Sequence, residues 1–197
     1  MKCNPKINLI IFDYNFFKRI CDFSLALAII ILGFPFFILI SLFIIISSKG
    51  SPIFIQRRTG YKGKTFYIFK FRSMHINKKR KSAQVYIDNR EIFTFGRILR
   101  RYKIDEILQV INIIRGEMSF IGPRPHETNM YADMPSWAKK RFETKPGISG
   151  LAQVKGGIHI NWEKRWLYDI EYVEIKSFIV DLRIIINTIK IILLNDD

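Results

Sequence analysis

The chain has 197 residues, 49% hydrophobic and 25% charged, and its 32 Lys and Arg against 17 Asp and Glu leave a formal charge of +15. That length holds one compact domain plus an appendage, which excludes a large multidomain machine, and the composition excludes a disordered chain. Cys3 and Cys21 both precede the longest apolar run, so the main body carries neither a disulfide framework nor a cysteine zinc site, in keeping with a reducing compartment. The charge implies an anionic partner: nucleic acid, acidic lipid headgroups or a phosphorylated substrate.

From Phe23 to Ser48 the chain has 26 consecutive uncharged residues, mostly Leu, Ile and Phe. A cleaved signal peptide has an apolar region of only about 7–15 residues, so this run is expected to be retained; as a helix it would reach ~39 Å, enough to span a bilayer core. Gly33 and Pro35 sit near its middle, where proline deletes a backbone donor, and they predict a kink or a break. Lys2, Lys6, Lys18 and Arg19 flank one end, and Lys49, Arg57, Arg58, Lys62 and Lys64 the other. Basic residues at both ends give the positive-inside rule no asymmetry, as expected if both ends stay cytoplasmic. A kinked single-pass helix is the competing reading.

Beyond Ser51-Pro52, Ile53 to Ile55 and Thr65 to Phe71 predict two strands, with Gly60-Tyr61-Lys62-Gly63 as the turn of a small hairpin. Gln56 to Lys81 holds ten Lys and Arg and no acid. Lying on acidic lipid accounts well for Lys78, Lys79, Arg80 and Lys81. It accounts less well for Lys70 and Arg72, which interrupt an aromatic strand. Ile104, Ile107, Leu108, Ile111 and Ile114 recur at helical spacing and predict a helix over Asp105 to Ile114, stopped by Gly116. Gly122-Pro123-Arg124-Pro125 predicts a rigid turn that aims Arg124. Helices are expected around Pro135 to Phe142 and from Trp162 to about Ile175. The apolar segment Phe178 to Leu194, with Asp181, Arg183 and Lys190, is too short and charged to span; interfacial burial and core packing both suit it.

His75, His126 and His159 lack metal-ligand spacing, and no nucleophile elbow, Walker or Rossmann glycine pattern is present. What remains is Asp105-Glu106 directly after the basic run Arg100-Arg101-Tyr102-Lys103. The ordinary account is a pair of acids complementing a helix dipole. The functional account uses the same physics: cations and the helix terminus favour an ionised carboxylate, leaving Asp105 as a nucleophile with Glu106 beside it to hold a divalent metal. Lys70, Arg72, Arg100 and Arg124 can supply the positive charge that a diphosphate between them needs.

Read in order, Gln56-x-Arg58-x-Gly60, Lys70-Phe71-Arg72-Ser73-Met74, Asp105-Glu106-x-x-Gln109, Asn112-x-x-x-Gly116-x-Met118-Ser119, Gly122-Pro123-Arg124-Pro125, Pro146-Gly147-Ile148-Ser149-Gly150-Leu151-x-Gln153, Asp169-x-x-Tyr172 and Asp181-Leu182 cover nearly the whole chain. In that combination the chain resembles the monotopic bacterial phosphoglycosyl transferases, also called bacterial sugar transferases or undecaprenyl-phosphate sugar phosphotransferases, in their small single-domain form.

The resemblance implies an α+β fold. Residues 1–50 would be an N-terminal flank and a re-entrant membrane helix broken near Gly33 and Pro35. Residues 51–197 would be a small, mostly helical cytoplasmic catalytic domain with a short β-hairpin and interfacial amphipathic helices, lying on the inner membrane. It implies that Asp105 attacks the β-phosphate of a UDP-sugar, releasing UMP and forming a covalent phosphosugar that polyprenol (undecaprenyl) phosphate then accepts. Glu106 would ligate Mg2+, and Lys70, Arg100 and Arg124 would bind substrate phosphate, joined on the charge reading by Arg72. Membrane lipid is an implied partner and nucleic acid is not; self-association and downstream glycosyltransferases are compatible with the resemblance.

Two positions depart from the family pattern: Ile107-Leu108 stands where Leu-Pro is frequent, and Gly157 follows Gly156 where Arg is frequent, so that cation is either missing or supplied by Lys155 or Arg165. The alternative of another class is a basic membrane-anchored binding module without turnover, for which Asp105 and Glu106 would have no use.

Overall fold

The computed structural model describes residues 5–75 and 91–194. The basic cluster Lys78, Lys79, Arg80 and Lys81 and the cysteine Cys3 lie outside the described residues. Helix α1, Pro5–Ser47, is followed by strands β1, Ile53–Thr59, and β2, Thr65–Phe71, and then by helix α2, Thr94–Arg101. A 3-10 helix, Ile104–Gln109, leads into α3, Val110–Ile114, and strands β3, Ser119–Ile121, and β4, His126–Glu127. A second 3-10 helix, Ser136–Glu143, precedes β5, Gly147–Ser149, α4, Leu151–Val154, α5, Trp162–Ile175, and α6, Phe178–Leu194. The architecture is α+β, a long apolar N-terminal helix on a small helical domain with little sheet.

Helix α1 departs from the expected helix-break-helix: it is a single element with Pro35 inside it. Proline removes one intrahelical bond, and the helix continues on both sides of it. The Phe37 ring folds back over Gly33, so close that a Cβ there would lie 2.8 Å from it. Asp22, Ala26, Ile29, Ile30, Gly33, Phe37, Ile40, Ile44 and Ser48 recur every three or four residues and form the covered stripe of the helix. Ala26 enters one core cluster with Phe66, Ile68, Val110, Ile113 and Met118, and Ile44 enters another with Phe71, Phe93, Leu99 and Leu108. The helix therefore lies lengthwise on the domain, and the other side exposes Phe16, Phe17, Ile31, Leu32, Phe34, Phe36 and Ile46.

Both ends of this contact are tied by polar groups. Near the start, Tyr14 Oη donates to Asp181 Oδ2 at 2.6 Å, and Lys18 pairs with the same carboxylate. Arg19 donates to the carbonyls of Ile113 at 2.5 Å and Ile114 at 2.9 Å, the last turn of α3. Near the end, the Arg72 guanidinium takes the carbonyls of Ser48, Lys49 and Gly50, the three residues that follow the helix, at the negative end of its dipole.

The expected hairpin is present, with β1 running on to Thr59 and pairing antiparallel with β2 from Ile53↔Phe71 to Thr59↔Thr65. Strand β4 adds to the other edge of β1 through Arg58↔Glu127 and Thr59↔His126. Strands β3 and β5 form a separate parallel pair, Ser119↔Gly147 and Ile121↔Ser149. There the backbones touch: a Cβ on Gly147 would meet the Gly122 nitrogen at 2.1 Å, and one on Gly150 the Gly122 oxygen at 2.2 Å. Helix α6 packs into the core along one side and leaves apolar residues exposed along the other. It buries Ile184 with Ile121, Leu151 and Tyr172, and it exposes Phe178, Ile179, Leu182, Ile189, Leu193 and Leu194.

Candidate active site

The basic run ends helix α2, which the sequence reading leaves unassigned. Lys103, at φ 55°, breaks it and turns the chain into the 3-10 helix. The expected helix over Asp105 to Ile114 is thus two pieces, and Gly116 at φ 79° follows them. Ile104 and Ile107 pack against the core beside buried Leu108, while Asp105 and Glu106 take the first turn and are both buried. Adjacent residues of a 3-10 helix point ~120° apart, so the two carboxylates face different neighbours.

Glu106 receives two cations. Strand β2 brings Lys70 Nζ to 2.6 Å from its Oε1. The Gly122–Pro125 turn brings Arg124, whose Nη2 lies 2.5 Å from Oε1 and Nη1 3.3 Å from Oε2. Gly122 N donates to the Ser149 carbonyl and Gly147 N to the Pro123 carbonyl, which fixes that turn on the β3–β5 pair. Asp105 has no side-chain hydrogen bond among the described residues.

These settings separate the two acids. Burial pushes Glu106 up, but Arg124 and Lys70 outweigh it and hold the group well below the ordinary carboxylate range. For Asp105, burial and then the Glu106 charge push the carboxyl up to about 6, against the opposing charges of Lys70, Arg100 and Arg124. The sequence reading expects cations to favour the ionised Asp105; in the structure desolvation outweighs them. Burial also lowers Lys70, with Glu106 opposing.

Five of the six residues read from the sequence as catalytic or phosphate-binding share this site: Asp105, Glu106, Lys70, Arg124 and, as a charge acting on Asp105, Arg100. Arg72 does not. It lies two residues beyond Lys70, just past the end of β2, and its guanidinium closes the end of α1 on the carbonyls of Lys49 and Gly50. Arg58 is an addition: it sits opposite Glu127 and its charge acts on Arg124 and Glu106. The Gln56-x-Arg58-x-Gly60 motif held the signal, which alternation along a β-strand could have converted into a facing direction. The histidines keep their ordinary reading. His126 accepts from Trp166 Nε1 at 3.2 Å and burial lowers it to about 3, His75 bonds Ser48, and His159 is exposed. At Gly157 the backbone has φ 49° and open space around a would-be Cβ, and Arg165 lies over the Trp162 ring.

No group of three or more His, Cys, Asp or Glu that could hold a metal occurs among the described residues. Two adjacent carboxylates do fit Mg2+, which takes one or two carboxylates and completes its shell with water and phosphate oxygens. Lys70 and Arg124 occupy about three of the four lone-pair positions of Glu106, so Asp105 has the more open oxygens.

A family model described as bacterial sugar transferase matches residues 13–195. The uncharacterized sugar transferase EpsL of Bacillus subtilis is 34% identical over 180 residues, covering 91% of this chain and 88% of that protein. The UDP-glucose:undecaprenyl-phosphate glucose-1-phosphate transferase of Caulobacter vibrioides is 36% identical over 191 residues, covering 91% of this chain and 71% of that one. The Escherichia coli protein of the same description is 35% identical, with 87% of this chain matching 39% of its length.

Proposed function

The chain belongs to the bacterial sugar transferase family and is an enzyme of the phosphoglycosyl transferase class, and we propose that it moves a phosphosugar from a UDP-sugar to undecaprenyl phosphate through an aspartyl intermediate. The observation that carries this reading is the contrast within the acid pair: a buried Asp105 without a side-chain hydrogen bond among the described residues, beside a Glu106 fixed by Lys70 and Arg124. In the first step an Asp105 carboxylate oxygen bonds to the β-phosphorus. The bond from that phosphorus to the bridging oxygen breaks, and UMP leaves with the electron pair. In the second step a phosphate oxygen of undecaprenyl phosphate attacks the same phosphorus, and the aspartyl oxygen leaves as the regenerated carboxylate.

Charge determines the other roles. Arg124, half exposed beside Glu106, and Arg100 face the side from which a diphosphate can approach Asp105, and Lys70 keeps Glu106 ionised and in place. Glu106 and Asp105 would hold Mg2+, which would supply neutralisation of the diphosphate charge.

The same reading places the protein in the inner membrane with its catalytic domain on the cytoplasmic face. Helix α1 is long and apolar enough over Tyr14–Ser47 to cross a membrane by length and composition. A re-entrant path is supported by polar ties from both ends of α1 to one domain, at Lys18–Asp181 and at Arg72–Ser48. Single thiols placed at position 2 or 50 of a Cys-free variant label from the same membrane side in that case; labelling from opposite sides excludes it.

The test of the reaction is UMP release by detergent-purified protein with Mg2+, undecaprenyl phosphate and a panel of UDP-sugars beginning with UDP-glucose, the donor named for the Caulobacter and Escherichia relatives. Without acceptor, intact mass should show one phosphosugar added to wild type and none to Asp105→Asn. A folded Asp105→Asn protein that releases UMP at the wild-type rate rules out the covalent route.

A further inference from the structure

Beneath the Arg124 turn lies a buried ion pair that the transfer reaction does not touch. Arg141, on the second 3-10 helix, donates from Nε at 2.9 Å and from Nη2 at 2.6 Å to Asp169 Oδ2 of α5. Both side chains are 3% exposed. Nη2 also donates to the Arg124 carbonyl at 2.9 Å, and Nη1 is buried with no partner among the described residues. The guanidinium therefore has two polar attachments, an acid and one backbone oxygen of the site turn.

That oxygen needs its donor. Pro123 and Pro125 flank Arg124, and neither can offer an N–H to a neighbouring acceptor. On the near side the turn is fixed by the Gly122 and Gly147 amides, and Arg141 fixes the peptide that carries Arg124 itself. An apolar filling of the same volume is frequently as stable as a buried ion pair, so stability alone gives a weak reason for one here. Geometry gives a stronger one. Arg124 must meet two oxygens of Glu106 at once, and a small rotation of its peptide would carry the fork away from them.

We propose that Arg141, braced by Asp169, is a positioning residue for phosphosugar transfer, holding through the Arg124 carbonyl the turn that sets the Arg124 guanidinium against Glu106. This rests on the transferase reading above. Lysine at position 141 still reaches Asp169 with its single head but cannot keep the second arm on the Arg124 carbonyl.

The experiment compares UMP release by full-length wild type, Arg141→Lys, Arg124→Lys and the double variant, with Met134→Ala as a control. Met134 belongs to the neighbouring apolar cluster with Ala138 and Phe142, so its truncation loosens the same region without removing the Arg141 bonds. The expected result is a loss of about tenfold to a hundredfold in Arg141→Lys, with the double variant no more than about twofold slower than Arg124→Lys alone. The low-pH limb of the rate should move up in Arg141→Lys, because the charges facing Asp105 are Lys70, Arg100, Arg124 and Glu106 and the withdrawal of Arg124 removes one cation. Met134→Ala should leave that limb in place.

Losses that multiply in the double variant overturn the proposal, as does an unmoved limb with a rate that falls only as it does in Met134→Ala. Where Arg141→Lys does not accumulate, Asp169→Glu, which keeps the charge pair and shifts the guanidinium by one methylene, is read by the same criteria. A wild type silent with every donor overturns the transferase reading and this proposal with it, whereas an active wild type with unaffected variants overturns this proposal alone.

Discussion

Asp105 and Glu106 are consecutive carboxylates, 9% and 7% exposed, and among the described residues only Glu106 has cations bonded to it. Lys70 and Arg124 bond Glu106 and keep it ionised, while Asp105 has burial against it and charge at a distance in its favour. A carboxylate stripped of water and of hydrogen bonds is more nucleophilic than a solvated one, and the fixed cations limit the cost of its ionisation.

The rate should follow the ionisation of Asp105. Its carboxyl lies at about 6, and the nucleophile is the deprotonated form. kcat/KM for UMP release, which reports the free enzyme, should therefore rise with pH through about 6 and level off above it. Glu106 stays ionised throughout this range and adds no second limb. A profile flat from pH 5 to 8 in the buffer series would show that Asp105 titrates elsewhere.

The two acids should respond oppositely to loss of charge. A native carboxyl raised from the ordinary 3.8 to about 6 binds its proton more tightly than the unfolded chain does, so stability falls as pH rises between those values and the full cost persists above. Asp105→Asn removes that cost and should raise the melting temperature at pH 7.5, by a free energy on the order of 2 kcal/mol, while UMP release drops at least about a thousandfold. Glu106→Gln leaves the buried Lys70 ammonium without its anion and should cost about 3–5 kcal/mol. Melting curves of the two variants side by side give the signs.

The parallel strand pair offers a steric prediction. A methyl group on Gly150 would sit 2.2 Å from the Gly122 oxygen, backbone against backbone, so Gly150→Ala must push the Arg124 turn away from β5. We expect a loss of about 2–4 kcal/mol and a fall in UMP release larger than the folded fraction explains. Denaturant unfolding, read beside the rate per folded molecule, separates the two effects.

The sequence made parts of this site legible and hid others for physical reasons. The acid pair and the Gly-Pro-Arg-Pro turn are local: their residue types restrict what the backbone can do, and both lie where that restriction puts them. Strand β2 was legible from Thr65–Phe71, but the partners of its basic residues were not. Charge type alone cannot distinguish Lys70, which meets Glu106, from Arg72, which turns away. Pro35 predicts a kink or a break for an isolated helix, whereas α1 packs on the domain to either side of that position and continues as one element. Arg141 carried no signal, since its partners are 17 and 28 residues away. Long-range pairing of this kind is set by the fold and not by local pattern.

Arg72 and Arg124 then supply the sharpest contrast among the cations, because one closes a helix and the other faces the reacting groups. Arg72 is 5% exposed and donates to three successive carbonyls at the end of α1, where the helix dipole adds to the attraction. Arg72→Ala should cost about 2–4 kcal/mol in denaturant unfolding and leave the KM for the UDP-sugar within about twofold for the folded fraction. Arg124, half exposed, should show the reverse: Arg124→Ala loses little stability but about a hundredfold or more in kcat/KM. A raised KM in Arg72→Ala at unchanged stability would return that guanidinium to the phosphate site and require Arg72 to leave the carbonyls of Ser48, Lys49 and Gly50 when substrate binds.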